Sequence, residues 1–235
     1  MYKVLIVTAT PFELNEIIET VSLKTGDVKR IITESNFLVD VLISGIGMVA
    51  TTFNLTQCLN KNSYDIVLQA GVGGSFDHNL TLGQVVNITT DCFIEMGTFS
   101  DKFESIFDLG LVDKNALPYF NGLVHASVGD NFLKTLPQVK AITVNHISGN
   151  LQHIDNLNNY FKKLNYFPTI ESMEGAALFY VCNCFNIKCY QIRSVSNYIE
   201  PRNKHNWQLQ KSIKALQKIV IEWLQLNKLI THQRL

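Results

Sequence analysis

Short runs of β-branched and other apolar residues alternate along the chain with longer stretches in which apolar side chains recur every three or four positions. The runs predict buried strands at residues 4–8, 37–43, 66–70, 85–89, 122–127, 141–145 and 189–194. The stretches predict helices at 12–19, 48–60, 172–185 and 204–226, the last with Trp207, Ile213, Leu216, Val220 and Trp223 on one face. Strands interleaved with helices define an α/β layered fold. Residues 93–120 break the pattern: they hold Phe93, Phe99, Phe103, Phe107, Tyr119 and Phe120 with weak periodicity and many turn formers. Such a segment reads as a binding loop or as a satellite hydrophobic cluster.

With 46% hydrophobic residues among 235, the chain can bury a large core without disulfides or metals, and no linker-like stretch divides it, so residues 1–235 are expected to form one domain. Lysine and arginine (20) balance aspartate and glutamate (20). That balance lacks the basic excess that a nucleic-acid or membrane-surface protein needs, and points to a small molecule or a second copy of the chain as partner. No run approaches the roughly 18 apolar residues of a membrane span, and the N-terminal residues do not read as a secretory leader. The five cysteines (Cys58, Cys92, Cys182, Cys184, Cys189) show no metal-ligand spacing and no even pairing, which predicts a cytoplasmic protein without a metal.

Two glycine-bearing segments follow predicted strands: Ser44-Gly45-Ile46-Gly47-Met48-Val49-Ala50 and Gly71-Val72-Gly73-Gly74-Ser75. The first fits the dinucleotide pattern GxGxxA, but the acid some twenty residues on, Asp65, precedes its strand instead of closing it beside a ribose. The second has Phe76 where the third glycine belongs. Without a dinucleotide, the glycines either permit tight turns or let backbone N–H groups, such as that of Gly73, approach a ligand at the strand ends.

Three further segments carry chemistry. Glu13 opens the first predicted helix, Ser172-Met173-Glu174-Gly175 opens an apolar one, and Arg193-Ser194-Val195-Ser196-Asn197 ends the strand after it. Acids in a first helical turn are commonly structural. Arg193, charged at the end of an apolar strand, calls for a carboxylate partner.

The order of Glu13, the two glycine segments, Ser148-Gly149, Met173-Glu174 and Arg193 to Asn197 resembles the purine nucleosidases and nucleoside phosphorylases, most of all the methylthioadenosine/S-adenosylhomocysteine nucleosidases and the futalosine hydrolases of menaquinone biosynthesis. The resemblance implies a three-layer α/β/α sandwich with a central mixed β-sheet, a purine nucleoside substrate, no cofactor and a homodimer. It implies that Glu13 activates water, that Glu174 holds the ribose hydroxyls with Met173 packed under the sugar, and that Arg193 and Ser196 orient the base-side residue. It places Ile46 and Trp207 at the 5′ pocket. The relatives' base-stacking phenylalanine falls near Gln152, which leaves the wall above the base unassigned.

At the base-side position the adenine-specific nucleosidases carry an aspartate, whereas this chain has Asn197. A 6-oxopurine shows acceptors at both N7 and O6; an ionised acid would repel the oxygen, while an amide carries two N–H donors. Asn197 therefore points to hypoxanthine or guanine as the leaving base. The following segment, Tyr198 to Asn203 leading to Trp207, is similar to the futalosine hydrolases, whose substrate is a hypoxanthine nucleoside with a carboxybenzoyl extension. Arg202 is then either a contact for that carboxylate or a surface arginine before a helix. A phosphorylase would need cationic donors for phosphate; the chain has four arginines, Arg30, Arg193, Arg202 and Arg234, and the regions around Glu13 and residues 44–50 offer a carboxylate and apolar groups. That composition suits water as the nucleophile.

Overall fold

The computed structural model describes residues 1–33, 37–99 and 103–226. Strand β1 (Tyr2–Thr8) leads through a 3-10 turn (Pro11–Leu14) into the short α1 (Asn15–Ile18), then β2 (Val28–Thr33), β3 (Phe37–Ile43) and α2 (Met48–Lys61). Next come β4 (Ile66–Ser75), β5 (Val85–Asp91), a small hairpin of β6 (Gly97–Phe99) and β7 (Phe103–Ser105), and β8 (Val124–His125). The chain continues with β9 (Gln138–Thr143), α3 (Leu151–Leu164), β10 (Ile170–Ser172), α4 (Gly175–Cys184), β11 (Lys188–Tyr198) and α5 (Leu209–Leu226).

Successive strand side chains face opposite ways, and β1 buries both faces. Leu5 and Val7 pack with Leu55 and Leu59 of α2 and with Leu178 and Phe179 of α4. Val4 and Ile6 pack with Ile17 and Ile18 of α1 and with Val220 and Trp223 of α5. Each fully buried aliphatic side chain contributes about 1.5–3 kcal/mol, so neither face tolerates a polar residue and the strand reads as a continuous apolar run. The result is the expected three-layer α/β/α sandwich.

The central sheet is mixed, in the order β10-β9-β5-β11-β4-β1-β3-β2, with β8 against β5. Strands β3, β1, β4 and β11 run parallel, and β5 and β2 are antiparallel to their neighbours β11 and β3. β10 pairs with β9 and also with the end of β4, through Ile170 opposite Ser75 and Glu171 opposite Gly74, so this edge of the sheet curls back on itself. The curl gathers the ends of β4, β10 and β11 around one crevice.

Several predicted boundaries change for physical reasons. Residues 12–19 are not one helix: Pro11 starts a 3-10 turn, and Glu19 ends α1 in the left-handed region. Residues 172–185 divide into β10 and α4, with Glu174 as the last non-helical residue. Residues 204–206 form a separate 3-10 turn, which puts Trp207 before α5 and off its buried face, while Ile213, Leu216, Val220 and Trp223 do share that face. Residues 71–75 continue β4, and 195–198 continue β11 through a bulge between Val195 and Asn197. The predicted strand at 122–127 shortens to two residues, and the one at 141–145 shifts back to Gln138–Thr143. β2, β10 and α3 escape the pattern, α3 because polar residues fill most of its surface.

The aromatic segment behaves as a satellite cluster. Phe107 stacks edge-on against Tyr119, Tyr119 and Phe93 against Tyr180 of α4, and Phe103 against Tyr160 of α3. Among the described residues no helix is long and apolar enough to cross a membrane.

Candidate active site

A cavity of about 560 Å³ opens where β1, β4, β10 and β11 end. That volume falls in the range of small-molecule sites. Its wall includes Glu13, Ile46, Gly73, Met173, Glu174, Ser196, Asn197 and Trp207, to which the sequence points from six separate stretches of chain. Arg193 and Arg202 do not line it.

Glu13 is placed by the 3-10 turn. Thr10 is extended and Pro11 follows, so the acid three residues after Thr10 folds back onto the Thr10 N–H that precedes the turn. Its Oε2 accepts from Thr8 Oγ1 at 2.8 Å, Thr10 N at 3.0 Å and Thr10 Oγ1 at 3.4 Å. Oε1 takes only Val72 N, at 3.2 Å, so this oxygen keeps a free lone pair at the cavity. Burial, and then the charge of Glu174, raise the Glu13 pKa; Arg193 and the bonds from Thr10 and Thr8 oppose the rise. A fixed carboxylate with a raised pKa and one free oxygen is suited to take a proton.

Glu174 stands between β10 and α4, 5% exposed. Its Oε1 accepts from Gly47 N at 3.0 Å, and its Oε2 from Arg193 Nη1 at 3.4 Å. Gly47 has φ +89°, so the loop before α2 needs glycine there to aim this amide. The first glycine segment thus serves a carboxylate rather than a dinucleotide.

Arg193 corrects an expectation. It was to orient the base-side residue, but its guanidinium runs under β4 and binds Glu174 and Val72 O, while Nε donates to Gln191 Oε1 at 2.9 Å. Gly71 makes this possible, since a Cβ there would overlap the guanidinium. The second glycine segment is therefore strand with its side chains removed for close approach, and not a turn. Gln191 Nε2 donates in turn to Asp91, which also accepts from Thr143 Oγ1 and Cys92 N. Burial lifts the Asp91 pKa to about 6 against those bonds and the pull of Arg193.

At the base side, Ser196 does orient Asn197: its hydroxyl donates to Oδ1 at 2.8 Å, and Asn197 Nδ2 donates to Tyr198 O at 3.1 Å. One amide N–H is spent on the backbone, so one, and not the expected two, remains for a ligand. Arg202 lines a neighbouring depression with His146 and His153 and packs over the Trp207 ring at 5.9 Å. Gln152 does not reach the cavity wall, where Ile147 and Ser148 stand instead.

Sequence reasoning missed Glu171, Gln191 and Asp91. The signal was a polar side chain inside an apolar strand, buried in each case. Among the described residues no group of three or more His, Cys, Asp or Glu side chains is placed to hold a metal ion.

Comparison with known proteins gives the same frame. The chain is 27% identical over 165 residues to the 5′-methylthioadenosine/S-adenosylhomocysteine nucleosidase of Shewanella sp. (strain MR-7), an alignment covering 67% of this chain and 66% of that protein. It is 29% identical over 166 residues to the enzyme of that name from Bacillus pumilus (strain SAFR-032), covering 67% of each. The chain thus matches about two thirds of the length of these relatives. Among solved structures, the 5′-methylthioadenosine/S-adenosylhomocysteine nucleosidase of Helicobacter pylori superposes with a TM-score of 0.75 at 20% identity, covering 96% of this chain and 98% of that one. The futalosine hydrolase of Helicobacter pylori superposes with a TM-score of 0.74 at 20% identity, covering 95% and 97%. The description of the phosphorylase superfamily matches residues 3–225, and the chain belongs to that family.

Proposed function

We propose that this protein hydrolyses the N-glycosidic bond of a 6-oxopurine nucleoside, and that its substrate is futalosine, released as hypoxanthine and dehypoxanthine futalosine. The observation that carries this reading is a pair of oriented carboxylates, Glu13 and Glu174, on one cavity with an amide, Asn197, where an adenine-specific site would hold an acid. As the C1′–N9 bond breaks, positive charge grows on the ribose, and Glu174 stabilises it through the sugar hydroxyls. Water attacks C1′ and its proton passes to Glu13 Oε1, while the base leaves as the anion, its charge held by the free Asn197 N–H, and takes up a proton from solvent to become hypoxanthine. Met173 packs under the sugar, and Ile46 and Trp207 receive the 5′ group.

Water is favoured over phosphate because no lysine or arginine is among the described residues lining the cavity, while Glu13, Glu171 and Glu174 are. Three carboxylates repel a phosphate ion. A homodimer fits the apolar face beside the cavity mouth, where Ile46, Val49 and Phe53 are each more than 60% exposed. The five cysteines are all free, as a reducing cytoplasm keeps them.

The test is product analysis on futalosine, inosine and 5′-methylthioadenosine, each with and without phosphate. The expected result is free hypoxanthine from futalosine at a rate independent of phosphate. Adenine release as the fastest reaction would make the chain a methylthioadenosine nucleosidase; ribose 1-phosphate formation would make it a phosphorylase.

A further inference from the structure

We propose that Gln69 is a positioning residue for Glu174: through one or two buried waters its amide takes up the free Nη2 of Arg193 and so fixes the plane from which the guanidinium reaches that carboxylate. This rests on the nucleosidase reading above and adds to it a residue that acts without meeting the substrate.

Gln69 interrupts the apolar first half of β4, is 1% exposed and does not line the cavity. Among the described residues neither its Oε1 nor its Nε2 has a hydrogen-bond partner. Burying an amide is costly unless something bonds to it, so a partner is to be sought on its own face of the sheet. The register names the neighbours: Val7 of β1 on one side, Gln191 of β11 on the other. Residues paired across parallel strands share a face, as do residues two apart along a strand, so Gln69, Gly71, Gln191 and Arg193 all point the same way. Val7 is apolar, and Gln191 is already bonded to Arg193 Nε and to Asp91. Arg193 Nη2 is buried and, among the described residues, has no partner. Two other unpartnered groups on the central strands, Ser194 Oγ and Asn87 Oδ1, belong to the opposite face, Ser194 by alternation and Asn87 by its pairing with Ile192.

The guanidinium lies over Gly71, the next residue of β4 on the face of Gln69. Two residues of a strand span about 7 Å, the reach of a long side chain and a water, and a buried water bonds to two or more polar groups at once. It can accept from Nη2 and donate to Gln69 Oε1. The arginine needs this hold. Its Nη1 stands 3.3 Å from Val72 O and 3.4 Å from Glu174 Oε2, both long, and only the Nε bond to Gln191, at 2.9 Å, is short. A planar fork pinned at one nitrogen can rock about that bond. Pinned at Nε and Nη2, it keeps Nη1 on Glu174.

Two measurements on the whole protein test this. A high-resolution crystal structure is expected to join Gln69 to Arg193 Nη2 through ordered water; a Gln69 turned away and bonded elsewhere overturns the proposal. Kinetics then compare Gln69→Leu and Gln69→Glu with the unmodified protein, on whichever of futalosine, inosine and 5′-methylthioadenosine is cleaved fastest and on the 2′-deoxy form of that nucleoside. Gln69→Leu removes the amide at similar size, and kcat is expected to fall about tenfold while KM changes about twofold at most. Because Glu174 acts through the sugar hydroxyls, the preference for the ribose over the 2′-deoxyribose form is expected to fall about threefold or more, whereas a merely structural loss slows both forms alike. Gln69→Glu offers the guanidinium a second carboxylate and is expected to lower kcat further, by drawing Arg193 off Glu174. A near-normal kcat in Gln69→Leu, or an unchanged ribose to deoxyribose ratio in both variants, overturns the proposal. No cleavage of any of the three nucleosides by the unmodified protein overturns the nucleosidase reading instead, and the crystal structure then decides by itself whether Gln69 holds Arg193.

Discussion

The two ends of the cavity are built in opposite ways. At the closed end, Glu13, Glu171 and Glu174 are nearly fully buried, and each is tied to backbone N–H groups or to side chains on strand ends. At the open end stand Phe12 and Ile46, each more than 60% exposed, with Trp207 on a turn before α5. Fixed dipoles around a reacting centre need no reorganisation when charge develops, so the closed end is the place for bond breaking. An apolar, exposed mouth selects by burial, which can tell a bulky 5′ group from a small one but moves no protons. Under the proposed reading, changes at the closed end should alter kcat or base choice, and changes at the open end should alter KM alone.

The largest effect tests the closed end directly. Glu13→Gln keeps the bonds to Thr8 and Thr10 within reach but removes the proton acceptor, and kcat should fall about a thousandfold with substrate binding retained. Binding is checked by calorimetry with substrate and turnover by release of free base. The same carboxylate gives the rate its acid limb: a base works only when ionised, and because burial raises the Glu13 pKa, activity should fall at a higher pH than an ordinary glutamate would give. A near-normal rate in Glu13→Gln would move the chemistry elsewhere.

Asn197→Asp comes next. It places a charge where O6 is expected and should shift the ratio of kcat/KM between inosine-type and adenosine-type substrates about ten- to a hundredfold toward adenosine. An unchanged ratio would detach base choice from this residue.

Trp207→Ala addresses the open end. It should raise KM about tenfold for a nucleoside with an aromatic 5′ group, leave kcat in place, and leave inosine unaffected. A fall in kcat instead would mean that the two ends are not separable, and that Trp207 helps hold the closed end in shape.

The contrast also explains what could be read from the sequence. Glu13, Glu174 and Asn197 sit beside punctuation that a sequence displays, namely Pro11, Gly175 and the end of an apolar run. The layers were legible because β1 is a continuous apolar run and the first half of β4 is one interrupted only by Gln69. Glu171 was not, because β10 is three residues long and merges by composition with the helix after it. Arg193 does find the carboxylate partner it calls for, in Glu174, but not the implied place beside Asn197, because the missing side chain at Gly71 lets the guanidinium cross under β4. Such a crossing depends on which strands are neighbours, and strand order is not written locally.

The smallest effect probes the buried support behind the closed end. Asp91 accepts from Gln191 Nε2, and this turns Gln191 Oε1 toward Arg193, which in turn holds Glu174. Its pKa, about 6 in the fold, lies above the ordinary aspartate value of 3.8. The folded state therefore binds the proton more tightly than the unfolded chain, so the stabilisation is fully present below about pH 4 and is lost as pH rises through about 6. One proton changes stability by at most about 1.4 kcal/mol per pH unit in that window, about 3–6 °C in melting temperature for a chain of this size. Glu13 and Glu171, whose pKa values are also raised, add to the same trend. Melting curves of the unmodified protein should show stability falling between pH 4 and 6, and Asp91→Asn should flatten the slope by the share of one proton. The variant should also lower kcat a few-fold, since an amide at 91 offers Gln191 a donor where it had an acceptor and frees its side chain to turn away from Arg193. Equal slopes in the two proteins would mean that Asp91 does not change its charge in this range, and that Arg193 is held without it.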